Sequence, residues 1–242
     1  MDPRILLLST SKVFGGEYMD FVQDELRDFF GRINRVLFVP FALFDHNAYA
    51  GRVRKVFRQI GYELDSLHQA NDMPAAIRNT EAIFIGGGNT FRLLKALYDH
   101  DLIGWIQERV HAGTAYLGSS AGSNVAGPTI KTTNDMPIVQ PPSFDALNLV
   151  PFQINPHYLD PDPNSRHMGE TREERILQFL EENATPVVAL REGAWLRIEN
   201  ALCELKGTNG ARLFRKKMPP IELENGSIDR FLPPVETGTA PS

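Results

Sequence analysis

Short apolar runs alternate along this chain with longer segments in which apolar residues recur at helical spacing. The short runs have the length of buried strands and end at polar or turn-forming residues; they occupy residues 5–8, 36–39, 83–85, 116–117 and 187–190. Between most of these runs lie segments with the periodicity of amphipathic helices, such as 17–30 and 91–98. This alternation predicts an α/β fold with a mostly parallel, doubly wound sheet and flanking helices on both faces.

The pattern changes towards the C-terminal end. Between residues 195 and 214, turn-forming residues at 199–200 and 207–210 predict antiparallel β-hairpins at one edge of the sheet. A chain of 242 residues with 42% hydrophobic content can bury one substantial core, and α/β folds often reach this size undivided. We therefore expect a single α/β domain over residues 1–231. Residues 232–242 are rich in Pro, Gly and Thr, and we expect them to form a disordered tail.

Charge and cysteine content argue against several kinds of partner. The formal net charge is -5 and the one short basic run is 215–217, so neither a nucleic acid nor a membrane surface is the expected partner. Cys203 is the only cysteine, which excludes an internal disulfide and a cysteine-based metal site and fits a reducing compartment. The first apolar run, 5–8, is too short for a signal peptide or a membrane span. We expect a cytoplasmic protein.

The segment 116–122 (YLGSSAG) carries the first candidate chemistry. It joins an apolar strand to Gly-x-Ser-x-Gly and a following helix, which is the nucleophile-elbow pattern. In that pattern the flanking glycines allow a strained turn that presents the serine hydroxyl at the carboxyl edge of the sheet. Ser120 is therefore the candidate nucleophile. An ordinary strand-to-helix turn is the alternative interpretation of the same residues.

A glycine-rich turn follows another strand in the segment 83–91 (IFIGGGNTF). Bare backbone amides there can approach an anion or a developing oxyanion near a helix N-terminus. A nucleotide site is disfavoured, because the G-x-G-x-x-G spacing and the P-loop Gly-Lys-Ser/Thr are both missing. Ligands of open α/β sheets collect at the carboxyl ends of strands, so both glycine turns are expected to face one cleft. The N–H groups of Gly88 and Ala121 are then candidates for an oxyanion hole.

A serine nucleophile needs a base and an orienting carboxylate. His157 ends the segment 153–157 (QINPH), where a strand followed by an Asn-Pro turn can aim an imidazole rigidly; His167 is the alternative. The other four of the six histidines lie in polar loops or at helix ends and are weaker candidates: His46, His68, His100 and His111. For the carboxylate, Glu192 directly follows the strand 187–190 and Asp135 lies in the loop 132–137, and the residues alone leave both open.

Six segments of the chain match the motifs of one known family: 86–91 (GGGNTF), 118–122 (GSSAG), 132–139 (TTNDMPIV), 144–147 (FDAL), 153–157 (QINPH) and 169–173 (GETRE). Taken together, these motifs resemble peptidase E, the α-aspartyl dipeptidase family. The similarity extends from about residue 6 to about residue 214. It implies a serine peptidase on a sheet similar to that of class I glutamine amidotransferases, cleaving dipeptides with N-terminal aspartate, with no metal or cofactor and commonly as a homodimer.

Carried over to this sequence, the resemblance implies a triad of Ser120, His157 and Glu192. It favours Glu192 over Asp135, because 190–195 (LREGAW) is similar to the family's Glu-Gly-x-Trp segment. The amidotransferases have a cysteine at the elbow, where this chain has Ser120. Ser119 and the loop 160–164 depart mildly from the family pattern, which affects the expected substrate preferences rather than the chemistry.

Selectivity for aspartate needs a fixed cation, and Arg172 is the candidate. The segment 171–174 (TREE) has the pattern of a capping box, which places Arg172 in the first turn of a helix. A guanidinium there can grip a substrate carboxylate through two parallel N–H donors. From the residues alone, a surface ion pair is the better interpretation; the resemblance favours substrate binding. Asp135 or Glu170 would hold the substrate α-ammonium, and Asn89 would donate to a carboxylate or cap its own helix.

The expected function is hydrolysis of Asp-Xaa dipeptides through an acyl-enzyme. The expected partner is therefore a small acidic dipeptide, the substrate. A cyanophycinase-like exopeptidase acting on β-aspartyl-arginine is the nearest enzyme alternative, because that group shares the glycine turn and the elbow. A non-catalytic sensor of acidic metabolites is the alternative from another class, and the complete set of triad candidates argues against it.

Overall fold

The computed structural model describes residues 2–164, 166 and 168–235. Its strands are, in chain order, Ile5–Leu8 (β1), Arg35–Val39 (β2), Glu63–Ser66 (β3), Ala82–Ile85 (β4), Ala115–Ser119 (β5), Gln153–Tyr158 (β6), Val187–Arg191 (β7), Ala194–Glu199 (β8), Leu202–Gly207 (β9), Ala211–Phe214 (β10), Ile221–Leu223 (β11) and Gly226–Ser227 (β12). The α-helices are Gln23–Phe30 (α1), His46–Gln59 (α2), Met73–Arg78 (α3), Thr90–Asp99 (α4), Ile103–His111 (α5), Ala121–Asn124 (α6) and Arg172–Glu182 (α7). Short 3-10 helices span Asp20–Val22, Leu67–Gln69 and Asp229–Phe231.

The larger sheet has eight strands in the order β12-β9-β8-β1-β5-β4-β2-β3. Strands β1, β5, β4, β2 and β3 run parallel to one another, whereas β8, β9 and β12 pair antiparallel at the other side. The α/β class and the mostly parallel sheet with an edge hairpin are thus confirmed. The β8–β9 hairpin lies in the region where the turn signals predicted one.

A smaller sheet has four strands in the order β11-β10-β7-β6. It contains the run 187–190 and the end of the segment 195–214, both of which the sequence pattern assigns to the one large sheet. The reason for the difference is that a buried strand has the same apolar pattern whichever sheet it joins. A second difference concerns the predicted helix 17–30, of which α1 begins only at Gln23. Met19 adopts a left-handed conformation (φ 61) that helical geometry does not allow.

Burial explains why the central strands read as continuous apolar runs. Every position of β1 and β4 is buried, as expected where helices cover both faces of a parallel sheet. Alternate residues enter different cores: Ile5 and Leu7 pack on one face, and Leu6 and Leu8 on the other. The first of these cores also contains Val188 of β7, so the smaller sheet packs against that face. Its opposite face packs against α7.

The C-terminal part of the fold extends past the expected domain boundary at 231. Val235 is 8% exposed and belongs to the core that contains Ile5. Residues 236–242 of the expected tail lie outside the described residues. No helix in the described ranges is both long and apolar enough to cross a membrane.

Packed structure up to residue 235 makes a testable prediction about stability. Val235→Ala removes buried methyl groups and should lower the free energy of unfolding by about 1–2 kcal/mol. Leu202→Ala is the control, because Leu202 is 57% exposed and surface substitutions usually change stability by less than about 0.5 kcal/mol. Denaturant unfolding of both variants measures the difference. Equal midpoints for the two variants would mean that the buried side chain of Val235 adds nothing to the stability of the folded state.

Candidate active site

Ser120 lies in a tight turn between β5 and α6. Its φ of 52° and ψ of -110° are strained for a residue with a side chain. The flanking glycines allow the close packing around it: a Cβ on Gly118 would lie 2.6 Å from the carbonyl oxygen of Gly122, and one on Gly122 would lie 2.0 Å from that of Ile85. The strand, turn and helix expected around Ser120 are therefore present. Both glycines of Gly-x-Ser-x-Gly are needed, because a side chain at either position would overlap the neighbouring backbone.

His157 reaches Ser120 from the smaller sheet. Its ring Nε2 lies 2.9 Å from Ser120 Oγ. The residue has a positive φ of 54° and lies where the register of β6 and β7 shifts, between Asn155 and Tyr158. This irregularity turns His157 out of the regular alternation of the strand. The other described histidines have contacts elsewhere in the fold: His46 packs against His68, His100 against Phe41, and His111 bonds to the carbonyl of Gln107. His167 lies outside the described residues.

Glu192 follows β7 and contacts the other side of the imidazole. His157 Nδ1 lies 2.7 Å from Glu192 Oε1. A proton on Nδ1 satisfies both contacts, because Nδ1–H then donates to the carboxylate and Nε2 accepts from the Ser120 hydroxyl. Gly193 follows with a φ of 81°, and Asn209 donates to the backbone carbonyl of Glu192 at 2.6 Å. The structure thus brings together the three residues expected to form a triad.

Asp135, the alternative carboxylate, lies at the start of α4. Its Oδ2 accepts the backbone N–H of Thr90 at 2.7 Å and the Thr90 hydroxyl at 2.6 Å. A carboxylate is favourable there, because the first N–H groups of a helix lack partners within the helix and carry partial positive charge. Of the two carboxylates that the residues left open, Glu192 is the one in contact with His157.

The glycine turn after β4 borders Ser120. A Cβ on Gly87 would lie 3.0 Å from the Cβ of Ser120, and Gly88 has a φ of 139° with no room for a side chain beside Ala42. The N–H groups of Gly88 and Ala121 have no acceptor among the described residues. Two unengaged N–H groups close to a serine are what an oxyanion hole requires.

Arg172 is the first residue of α7, directly after Thr171. The Thr171–Glu174 capping box expected from the sequence is present, with both reciprocal hydrogen bonds. Desolvation by partial burial, and then the charge of Arg175, lower the pKa of Arg172, whereas Asp135 raises it. Within the described residues, Arg172 has no carboxylate within 4 Å.

Two further candidates have partners of their own. The side chain of Asn89 accepts the N–H of Arg92 at 3.0 Å, which caps α4, and donates to the carbonyl of Met136 at 2.8 Å. Of the two roles expected for Asn89, the structure therefore shows helix capping. Glu170 accepts a hydrogen bond from Gln178 at 2.9 Å and lies 3.6 Å from Arg175.

Sequence reasoning missed Ser9. Its hydroxyl accepts the backbone N–H of His157 and donates to the carbonyl of Leu190, both at 2.9 Å. A position just past the carboxyl end of the central strand β1 was the one signal available, because that edge of the sheet carries the site. Across the described residues, no group of three or more His, Cys, Asp or Glu side chains is arranged to hold a metal ion.

Comparison with known proteins adds a family to this geometry. The model of the family described as peptidase family S51 matches residues 5–206. Peptidase E of Streptomyces coelicolor is 51% identical over 224 residues, which cover 93% of this chain and 92% of the relative. A Drosophila melanogaster protein named probable alpha-aspartyl dipeptidase is 48% identical over 215 residues, which cover 88% of this chain and 90% of the relative.

Solved structures agree on the fold. The crystal structure of a peptidase from an acI-B1 actinobacterium has a TM-score of 0.67 at 16% identity, covering 94% of this chain and 98% of that one. At this identity the likeness concerns the fold alone, and it agrees with the expected α/β architecture. With a family model that matches most of its length and relatives near half identity, the chain belongs to peptidase family S51 and is a serine peptidase.

Proposed function

We propose that this protein is a dipeptidase that hydrolyses dipeptides with N-terminal aspartate through an acyl-enzyme on Ser120. The observation that carries the proposal is the continuous set of contacts from Ser120 Oγ to His157 Nε2, at 2.9 Å, and from His157 Nδ1 to Glu192 Oε1, at 2.7 Å. A nucleophile in contact with a base that is itself oriented by a carboxylate is the arrangement of serine hydrolases. The names of the relatives, peptidase E and alpha-aspartyl dipeptidase, support the choice of substrate.

The chemistry follows from these contacts. Ser120 Oγ attacks the peptide carbonyl carbon while His157 Nε2 takes its proton, and Glu192 stabilises the imidazolium that results. The carbonyl oxygen becomes an oxyanion, which the N–H groups of Gly88 and Ala121 would bind. Collapse breaks the C–N bond, and His157 gives its proton to the leaving amine. Water then attacks the acyl-enzyme with His157 again as base, which releases aspartate and restores Ser120.

Two opposite charges support recognition of an N-terminal aspartate. Such a substrate presents a side-chain carboxylate and an α-ammonium group on the same residue. Arg172 would bind the carboxylate through paired N–H donors. Asp135 accepts both bonds from Thr90 through Oδ2, so its Oδ1, which has no donor among the described residues, would receive the ammonium. Asn89 and Glu170 fit these roles less well, because their side chains have partners already.

Release of free aspartate from Asp-Leu, compared with β-Asp-Arg, tests the proposed substrate. We expect hydrolysis of Asp-Leu and little of β-Asp-Arg. Ser120→Ala should lose on the order of 10³-fold or more in kcat, because the acyl-enzyme can no longer form. Ser119→Ala is the matched control, since Ser119 is buried and its hydroxyl has no partner among the described residues.

The other outcomes separate the alternatives. Preference for β-Asp-Arg would indicate a cyanophycinase-like enzyme, and binding of aspartyl compounds without turnover would indicate a sensor. Near-normal turnover by folded Ser120→Ala protein would exclude the mechanism.

The carboxylate of the triad is tested by a pair of isosteric changes. Glu192→Gln should lower kcat far more than Asp135→Asn, because it removes the negative charge that stabilises the imidazolium. Steady-state kinetics with Asp-Leu measure both effects. A larger kcat loss in Asp135→Asn would transfer the role to Asp135, against the observed contact of Glu192 with His157.

Arg172 is tested by its effect on two substrates. Arg172→Met should lower kcat/KM for Asp-Leu, with a loss of roughly 2–4 kcal/mol in transition-state stabilisation, because a charge pair that is largely shielded from water is lost. Arg172→Lys should recover only part of this loss, since an ammonium lacks the planar two-donor geometry. Asn-Leu, which lacks the charge, should be a poor substrate for every variant.

The measurement is kcat/KM for both dipeptides after folding has been checked. If Arg172→Met lowers both substrates equally or leaves Asp-Leu unchanged, Arg172 serves the start of α7 and another group recognises aspartate.

A further inference from the structure

The carboxyl end of β1 contacts the segments of all three proposed triad residues. The carbonyl oxygen of Leu8 accepts the N–H of Ser120 at 3.0 Å. One residue on, the Ser9 hydroxyl accepts the N–H of His157 and donates to the carbonyl of Leu190, each at 2.9 Å. The backbone N–H of Ser9 donates to the carbonyl of Ala194 at 3.1 Å. Two adjacent residues thus join β5, β6 and both sides of the Glu192 turn.

The contact with His157 occurs where the smaller sheet is irregular. The pairing of β6 with β7 shifts between Asn155 and Tyr158, and His157 within that interval has a φ of 54°. A residue with a side chain keeps such a conformation only where its surroundings hold it. In the described structure the His157 N–H donates to the Ser9 hydroxyl. Ser9 follows β1 of the larger sheet, whereas β6 and β7 belong to the smaller sheet.

The hydrogen bond from the Ser9 hydroxyl to Leu190 restrains the segment that carries Glu192, the proposed carboxylate. Leu190 precedes Glu192 by two residues, and Ala194 follows it by two. Ser9 bonds to the carbonyls of both, through its hydroxyl and its N–H respectively. The turn that carries Glu192 is therefore held on both sides by one residue, which is itself fully buried.

We propose that Ser9 is a positioning residue for the reaction: its hydroxyl sets the His157 and Glu192 segments of the smaller sheet at the correct distance from Ser120 in the larger sheet. The inference rests on the proposed function, because it assumes that Ser120 is activated by His157. In the described structure the Ser9 hydroxyl makes no hydrogen bond to the hydroxyl of Ser120 or to the ring of His157. It acts through the backbone of the segment that carries the ring.

A purely structural role would have different consequences. If Ser9 only satisfied two buried backbone groups, its loss would lower stability and leave the turnover of the folded protein unchanged. If it positions His157, its loss lowers kcat while KM stays near the wild-type value. Arg172 and Asp135, the residues proposed to bind substrate, belong to α7 and to the loop beside α4, and neither is bonded to Ser9.

The experiment compares Ser9→Ala with Ser119→Ala in the full chain. Each removes one hydroxyl from a fully buried serine at the end of a central strand, but the hydroxyl of Ser119 has no partner among the described residues. We expect Ser9→Ala to lower kcat for Asp-Leu by roughly 10- to 100-fold, with KM within about 2-fold, since small misplacements of a catalytic group have effects of this size. Ser119→Ala should stay within about 2-fold of wild type in both parameters.

Labelling with a fluorophosphonate gives a second readout. This reagent phosphonylates an activated serine hydroxyl with release of fluoride, so its rate reports the activation of Ser120 without depending on the substrate. Ser9→Ala should be labelled roughly 10- to 100-fold more slowly than wild type, in step with its kcat. Ser9→Thr, which restores a hydroxyl, should be labelled faster than Ser9→Ala.

A third variant covers the case in which Ser9→Ala does not fold. Ser9→Cys keeps a side chain of similar shape with a weaker donor and acceptor, and it should also be labelled more slowly than wild type. Wild-type labelling rates in folded Ser9→Ala or Ser9→Cys protein would overturn the proposal, and so would equal losses in Ser9→Ala and Ser119→Ala.

Failure of the proposed function has its own signature. If wild-type protein is labelled at Ser120 but does not hydrolyse Asp-Leu, the substrate is wrong, and the labelling rates of the Ser9 variants still decide the inference. If wild-type protein turns over Asp-Leu but is not labelled, the kcat values of Ser9→Ala and Ser119→Ala decide the inference. If folded Ser120→Ala protein keeps near-normal turnover, the nucleophile is wrong and the inference about Ser9 is overturned with it.

Discussion

The hydrogen bond between His157 Nε2 and Ser120 Oγ joins two different sheets. Ser120 follows β5 in the larger sheet, whereas His157 and Glu192 belong to β6 and to the end of β7 in the smaller one. A separation of 2.9 Å between two side chains from separate sheets can persist only if the sheets keep a fixed spacing. The shared core, which contains Ile5 from one sheet and Val188 from the other, provides that spacing through close packing.

Ion pairs and hydrogen bonds connect strands of the smaller sheet to one another, to the loop after β6 and to the start of α7. Arg191, next to Glu192 in the chain, bonds to Asp160 beyond β6 and to Glu222 of β11. Arg212 of β10 bonds to Glu173 in the first turn of α7, which also accepts from the Tyr158 hydroxyl. Burial raises the pKa of Tyr158 to about 12, so the phenol keeps its proton for that bond. These contacts fix the loop after His157 and the start of α7, where Arg172 lies.

Much of this arrangement was predictable from local sequence. The apolar runs located the central strands, and Gly-x-Ser-x-Gly located Ser120, because the glycines at 118 and 122 are required by close backbone contacts within a few residues or with the adjacent strand. The capping box before α7 is local as well. Membership of the smaller sheet was not predictable, since β7 has the same apolar pattern as a strand of the larger sheet. The residues alone left Glu192 and Asp135 open, because neither a position after a strand nor one in a loop shows which carboxylate reaches His157. The structure has Glu192 in that contact. Ser9 was missed, because its partners lie 148 and 181 residues away in the chain and its place after β1 was the one signal for it.

The same long separations have a consequence for folding. The bonds of Ser9 to His157 and Leu190 close loops that span most of the chain, and contacts between residues so distant in sequence form slowly, because the entropy of loop closure opposes them. The site therefore cannot assemble from any one half of the molecule: β1 supplies Ser9 near the N-terminus, and β7 must be in place before Glu192 has a position. During refolding, formation of the contact between Ser120 and His157 should report the docking of the two sheets rather than the formation of either one.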